Sequence, residues 1–225
     1  MAKWSPKGDR IVFQSDRLGI NNLYQKAVAG GDDELLLSNG YIKIPSQWSR
    51  DGRFIVYTQT DPNTRRDVWV LPMEGAKAGQ PFPFLHSEFN EFLGQLSPDS
   101  HWMAYTSDES GRREVYVRPF PSGQGQWNIS LNGGEQPHWR ADGKELFFIA
   151  VDGKMMAAEV KSSGKFEPGP PHTLFDANEP RPPNEPTLEY DVTADGKRFV
   201  INTALAGANA ATLNLVANWQ TGSNK

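Results

Sequence analysis

The 225-residue chain contains no cysteine. That absence removes a disulfide framework, a thiolate metal site and a cysteine nucleophile together, and it leaves the redox compartment unreadable. Nowhere do about 18 apolar residues run together, and Met1 to Pro6 lacks the basic segment followed by an apolar one that opens a secretory signal. No charge of one sign dominates: 23 Lys and Arg stand against 27 Asp and Glu, a net charge of -4. No segment gathers basic residues into a phosphate-tracking surface, so nucleic acid is not an expected partner. What is present is 21 glycines and 17 prolines spread along the chain, which suits many short strands joined by turns. With 37% hydrophobic residues, the chain can bury a sizeable core as one all-β domain.

Self-comparison shows a repeat. The segment Trp4-Ser5-Pro6-Lys7-Gly8-Asp9-Arg10-Ile11-Val12-Phe13 aligns with Trp48-Ser49-Arg50-Asp51-Gly52-Arg53-Phe54-Ile55-Val56-Tyr57, allowing a one-residue shift of the glycine. Further copies begin at Leu96, Trp139 and Val192, so the spacings are 44, 48, 43 and 53 residues. A period of this size marks solenoids and propellers. In each copy a Ser, Pro, Asp and Gly composition bends the chain between two strands. The run that follows is apolar on both sides, as in Ile55-Val56-Tyr57 and Leu146-Phe147-Phe148, which predicts strands sandwiched between sheets. A polar loop and a third strand come next, as in Asp67-Val68-Trp69-Val70. A fourth, weaker strand falls at Glu34 to Leu37, Phe82 to Leu85, Gln126 to Leu131 and His172 to Phe175.

Four strands per repeat of this length is one blade of a β-propeller. The blades are placed at about 1–40, 41–88, 89–132, 133–177 and 188–220, with the proline-rich stretch 178–187 as a loop. In the last copy one strand, Thr212 to Trp219, follows Phe199 to Asn202, so that blade lacks its fourth strand. Trp4, Trp48 and Trp139 share one repeat position, which predicts packing between neighbouring blades. An arc with an incomplete last blade would leave apolar, pairing-competent ends, and the expected consequence is either self-association through them or membership of a larger propeller of which these repeats are a part; a compact five-bladed ring is the competing outcome. The motif at Trp4 also predicts that the native reading frame extends upstream of Met1.

The turn followed by Ile-Val-Phe and the Ser15-Asp16-Arg17 loop resembles the TolB-like (WD40-like) β-propeller repeat, over nearly the whole chain. The closing Leu213-Asn214-Leu215-Val216-Ala217-Asn218-Trp219 also resembles the end of propellers fused behind bacterial serine/threonine kinase domains. The first resemblance implies a protein-binding propeller; the second implies an extracytoplasmic or periplasmic sensor part of a larger bacterial protein. No kinase motif is present in the chain itself.

Asp16, Asp61 and Asp108 recur in the loop after the second strand, accompanied by Arg17, by Arg65 and Arg66, and by Arg112 and Arg113. In a propeller such loops gather on one face. Asp16, Arg17, Asp61, Arg66, Asp108 and Arg113 are therefore the candidate residues of a docking face for a protein or peptide. The competing account is that each Asp caps its own turn while the Arg is solvated. His86, His101, His138 and His172 have no metal-ligand spacing and read as surface or blade-edge residues. The residues before each turn, Ser46-Gln47, Gly94-Gln95, Pro137-His138 and Tyr190-Asp191, are thin in the convergent carboxylates that a hard cation needs. No Gly-x-Ser-x-Gly elbow exists. The expectation is a non-catalytic binding or scaffold propeller without cofactor or metal. The alternative is a hydrolase or lactonase with a metal in the central channel.

Overall fold

The computed structural model describes residues 1–76, 78–161, 165–177, 190–204 and 211–217, with residues 203, 204 and 211–217 described by backbone alone. Five antiparallel sheets follow one another along the chain. The first contains β1 (Ala2–Trp4), β2 (Arg10–Ser15), β3 (Asn22–Ala27) and β4 (Glu34–Leu37). The second contains β5 (Ile42–Trp48), β6 (Phe54–Asp61), β7 (Arg65–Pro72) and β8 (Phe82–Leu85), and the third β9 (Glu91–Leu96), β10 (Trp102–Ser107), β11 (Glu114–Pro119) and β12 (Trp127–Asn128). In the fourth, β13 (Gly134–Trp139), β14 (Glu145–Ala150) and β15 (Lys154–Lys161) precede β16 (Glu167–Pro168) and β17 (His172–Asp176), both of which pair with β15. That sheet therefore has five strands where the repeat predicts four. The fifth has three: β18 (Tyr190–Val192), β19 (Arg198–Ala204) and β20 (Ala211–Ala217). The proline-rich stretch 178–187 lies outside the described residues, as does the end of the predicted strand beyond residue 217.

In four of the five sheets the first hairpin is tied by one hydroxyl; in the fourth, Arg140 takes that place and its guanidinium holds Asp142. Ser49 Oγ donates to Asp51 Oδ1 at 2.6 Å and accepts the Phe54 N–H at 2.9 Å; Ser97 does the same with Asp99 and Trp102. Thr193 repeats the pattern with Asp195 and Arg198. The glycine at the fourth step past the leading residue sits at positive φ in four copies (Gly8, Gly52, Gly143 and Gly196), and Ser100 takes the same conformation in the third. Gly8 donates to the Ser5 carbonyl just as Gly52 does to Ser49, so no shift of the glycine occurs in the first copy. It is the aspartate that moves, because Asp9 receives the Ser5 hydroxyl from beyond the turn.

The sheets stack face to face through their second strands. Ile55 and Tyr57 pack on Val12 and Leu23 of the first sheet, whereas Val56 joins Met103 and Tyr105 of the third. Leu146 and Phe148 face the third sheet while Phe147 faces the fifth. This alternation explains the two-sided apolar runs, and each such side chain fully removed from water contributes roughly 1.5–3 kcal/mol. A cross-strand aromatic pair also repeats: Phe13 with Tyr24, Tyr57 with Trp69, and Tyr105 with Tyr116. Trp139 is buried at 6% exposure, Trp48 is half-buried, and Trp4 is 62% exposed. The expectation that all three are interblade core fails at Trp4. Trp48 and Trp139 each have a preceding sheet to pack on, and Trp4 belongs to the first.

Candidate binding site

The five first strands, β1, β5, β9, β13 and β18, surround a cavity of about 730 Å³. Its mouth is rimmed by the second residue of each hairpin turn: Pro6, Arg50, Pro98, Ala141 and Ala194. Arg50 bridges the mouth, its guanidinium donating to the Ala141 carbonyl two sheets away. Deeper, the walls carry Gln47, Gln95, His138, Tyr190 and Asp191, joined by the edges of Trp48 and Trp139.

Side chain to backbone bonds stitch these walls together. Gln47 donates to the Leu96 carbonyl at 3.1 Å and accepts the Leu96 N–H at 2.7 Å, and Gln95 donates to the Ser46 carbonyl at 3.0 Å. The Tyr190 hydroxyl donates to the Gln136 carbonyl at 2.8 Å. A second stitch uses a bulge in the first strand, where Leu93 and Gln136 take positive φ. Their freed N–H groups donate to Thr58 and Thr106, equivalent residues of the preceding sheet. These bonds satisfy buried backbone groups that a bulge would otherwise leave orphaned.

A histidine–aspartate contact faces the cavity. His138 Nε2 lies 3.2 Å from Asp191 Oδ1, while its Nδ1 lies 3.0 Å from the Trp139 carbonyl oxygen. Desolvation by the surrounding funnel walls works to raise the proton affinity of Asp191. The His138 contact, the Val192 N–H and the charge of Lys3 outweigh it and hold the carboxyl below the usual carboxylate range.

The loops after the second strands open on the opposite face, because successive strands are antiparallel. There the six candidate docking residues divide. Asp61 Oδ1 accepts the Asn63 N–H of its own turn, the Asp16 carbonyl accepts Gly19, and Asp108 receives both the backbone and the side-chain N–H of Asn90. Arg17 pairs with Asp33 at 2.7 Å and lies over the Tyr24 ring. Arg66 and Arg113, from neighbouring sheets, converge on the ring of Phe92 at 5.5 and 5.4 Å, and Arg113 also pairs with Glu135. The Asp61 carboxylate thus holds its own turn and that of Asp108 ties its loop to the loop before β9, while Arg66 and Arg113 are brought together on Phe92.

No protein-family model matches the sequence, and no curated protein matches it. Solved structures do. TolB from Acinetobacter baumannii superposes with a TM-score of 0.72 at 17% identity over 96% of this chain and 51% of that one. The chain has the β-propeller fold of TolB. This TolB-like propeller spans about half the length of that TolB chain. It also superposes on a puromycin-hydrolysing peptidase of Mycobacterium tuberculosis, with a TM-score of 0.61 at 17% identity, covering 92% of this chain and 35% of the peptidase. An auxiliary nutrient binding protein of Bacteroides thetaiotaomicron gives 0.60 at 10% identity, covering 89% and 51%.

Within the TolB-like propeller, the turn faces rather than the loop faces build the concave site. His138, on the edge strand β13 of its sheet, is part of that site, and His86 pairs with buried Asp67 at 3.1 Å. Sequence signals for both were absent, since Asp191 lies 53 positions from His138 and only sheet stacking makes them neighbours. The position of His138 immediately before a turn, equivalent to Gln47 and Gln95, was the one available clue. Among the described residues, no group of three His, Asp or Glu is placed to hold a metal ion.

Proposed function

We propose that this propeller is a non-catalytic module that binds a protein or peptide segment in its turn-face funnel. The observation that carries the reading is convergence: five hairpins and five first strands contribute to one cavity of about 730 Å³ whose walls combine the aromatic rings of Trp4, Trp48, Trp139 and Tyr190 with polar and charged side chains. Concave sites of this size are where proteins take ligands. The docking face of Asp16, Arg17, Asp61, Arg66, Asp108 and Arg113 is the competing surface, with the Arg66 and Arg113 pair as its centre. The same reading includes self-association through the edge of the first blade, where Leu35 is open to solvent.

A channel-metal hydrolase or lactonase is the second reading, and the match to a peptidase favours keeping it. That match covers 35% of the peptidase. Within the cavity of this chain one carboxylate, Asp191, is offered, and a hard divalent cation wants several convergent oxygens.

A peptide library tests the proposal. Binding is expected to weaken by about tenfold or more in Ala194→Trp, which fills the funnel mouth, and to persist in Arg66→Ala with Arg113→Ala. The reverse pattern would move the site to the loop face. Metal-dependent turnover of ester, lactone or peptide substrates that Asp191→Ala abolishes would replace the binding reading with the enzymatic one.

A further inference from the structure

The charged groups lining the funnel are of mainly one sign. Lys3, Arg50 and His138 line the cavity against a single carboxylate, Asp191. The chain as a whole carries a net charge of -4, so the funnel departs from the molecular average. Such a local field in a concave site concentrates ligands of opposite charge.

His138 decides how large that field is. Its Nδ1 faces the Trp139 carbonyl oxygen at 3.0 Å, and its Nε2 faces Asp191 Oδ1 at 3.2 Å. Both neighbours are acceptors. Either neutral tautomer would point a nitrogen lone pair at an oxygen, and only the doubly protonated ring is attracted to both. The Asp191 side chain is 81% exposed. It sits on the imidazolium as a solvent-accessible carboxylate that an incoming one can displace. The groups facing the pair are Asp191 and the Tyr190 ring from β18, with Lys3 from β1 acting on Asp191. The residues opposite on β9 and β14, Gln95 and Phe147, are uncharged.

We propose that the funnel selects carboxylate-bearing ligands and that capture is linked to protonation of His138, with Asp191 as the internal carboxylate that the ligand displaces. This rests on the funnel being the binding site. Linkage follows because a ligand carboxylate gains from the imidazolium only while the ring is charged. Acid conditions therefore favour capture.

The test uses a pentapeptide of alternating tryptophan and glutamate and its twin with lysine in place of glutamate, titrated into the full chain at pH 6 and pH 8. The glutamate peptide is expected to bind about threefold or more tighter at pH 6, and the lysine twin about tenfold more weakly than the glutamate peptide. Asp191→Asn should tighten the glutamate peptide, and His138→Gln, checked for native thermal unfolding, should bind it with no pH dependence. Lys3→Gln gives a second readout at a site that forms no part of the sheet stitching. Equal or tighter binding of the lysine twin, an unchanged pH dependence in His138→Gln, or no binding of the glutamate peptide overturns the inference. Uncharged library peptides that bind the wild type and are lost in Ala194→Trp would leave the binding reading standing while removing this one.

Discussion

Trp139 in the fourth blade and Gln95 in the third are joined across the blade boundary: the indole Nε1–H donates to the Gln95 carbonyl at 3.0 Å. The indole also packs edge-on against Phe166, at a ring-centre distance of 6.3 Å. Replacing it removes both a large apolar volume and the partner of a buried carbonyl.

Trp139→Ala is expected to lower stability by roughly 3–5 kcal/mol, as for other buried large-to-small changes. Trp4→Ala, at the same repeat position but 62% exposed, should cost less than about 1 kcal/mol. Denaturant midpoints of the two variants measure the difference. Equal losses would contradict the position of the first blade.

Gly94 lies where a Cβ would come within 2.7 Å of Val68 Cγ1 and 2.9 Å of Val56 Cγ1. Both valines belong to the core between the second and third blades. Gly94→Ala should therefore overpack that boundary and cost about 1–3 kcal/mol. A coupled Gly94→Ala with Val68→Ala, read by thermal unfolding, should recover part of the loss.

Glu91 is buried, and burial first, then the nearby Asp67 and Glu109 charges, push its carboxyl up to about 7, against a partial opposing effect of the Ser87 hydroxyl and Arg118. The folded state holds this proton more tightly than the unfolded chain. The contribution to stability is therefore full below about pH 4 and is lost as pH rises through 7. Glu91→Gln should flatten that slope and exceed the wild type in stability at pH 8, by an amount on the order of 2 kcal/mol. Unfolding free energies at pH 5 and pH 8 check it; parallel slopes in variant and wild type would refute the assignment.

The outer strand of the first blade exposes Leu35, whereas Trp4, also exposed, lines the funnel. Concentration-dependent self-association through that outer strand is the expected result, and Leu35→Ser should reduce it. Light scattering over a concentration series reads the change directly. A monodisperse wild type at all concentrations would remove self-association from the functional reading.

The blade count and the second and third strands were legible because each depends on contacts close in sequence. A Ser-x-Asp-Gly turn ties itself within six residues, as Ser49 does with Asp51 and Phe54, and a strand buried on both faces must be apolar at successive positions. The weak outer strands Phe82–Leu85 and Glu34–Leu37 were placed correctly on the same basis. The candidate site was less legible. Recurrence of Asp and Arg drew attention to the loop face, where Asp61 caps its own turn and Asp108 holds Asn90 of the loop before β9.

By itself, then, the sequence determined an all-β propeller built from hairpin repeats, since turn chemistry and two-sided burial are local and periodic. Tertiary structure alone decided which equivalent residues are core and which are surface, as Trp139 and Trp4 show, because burial depends on whether a preceding blade is there to cover the position. It alone also made the funnel. Gln47 meets Leu96, Tyr190 meets Gln136 and His138 meets Asp191 over separations of about fifty residues. No short pattern encodes such pairs. The repeat length brings them together only after the sheets have stacked.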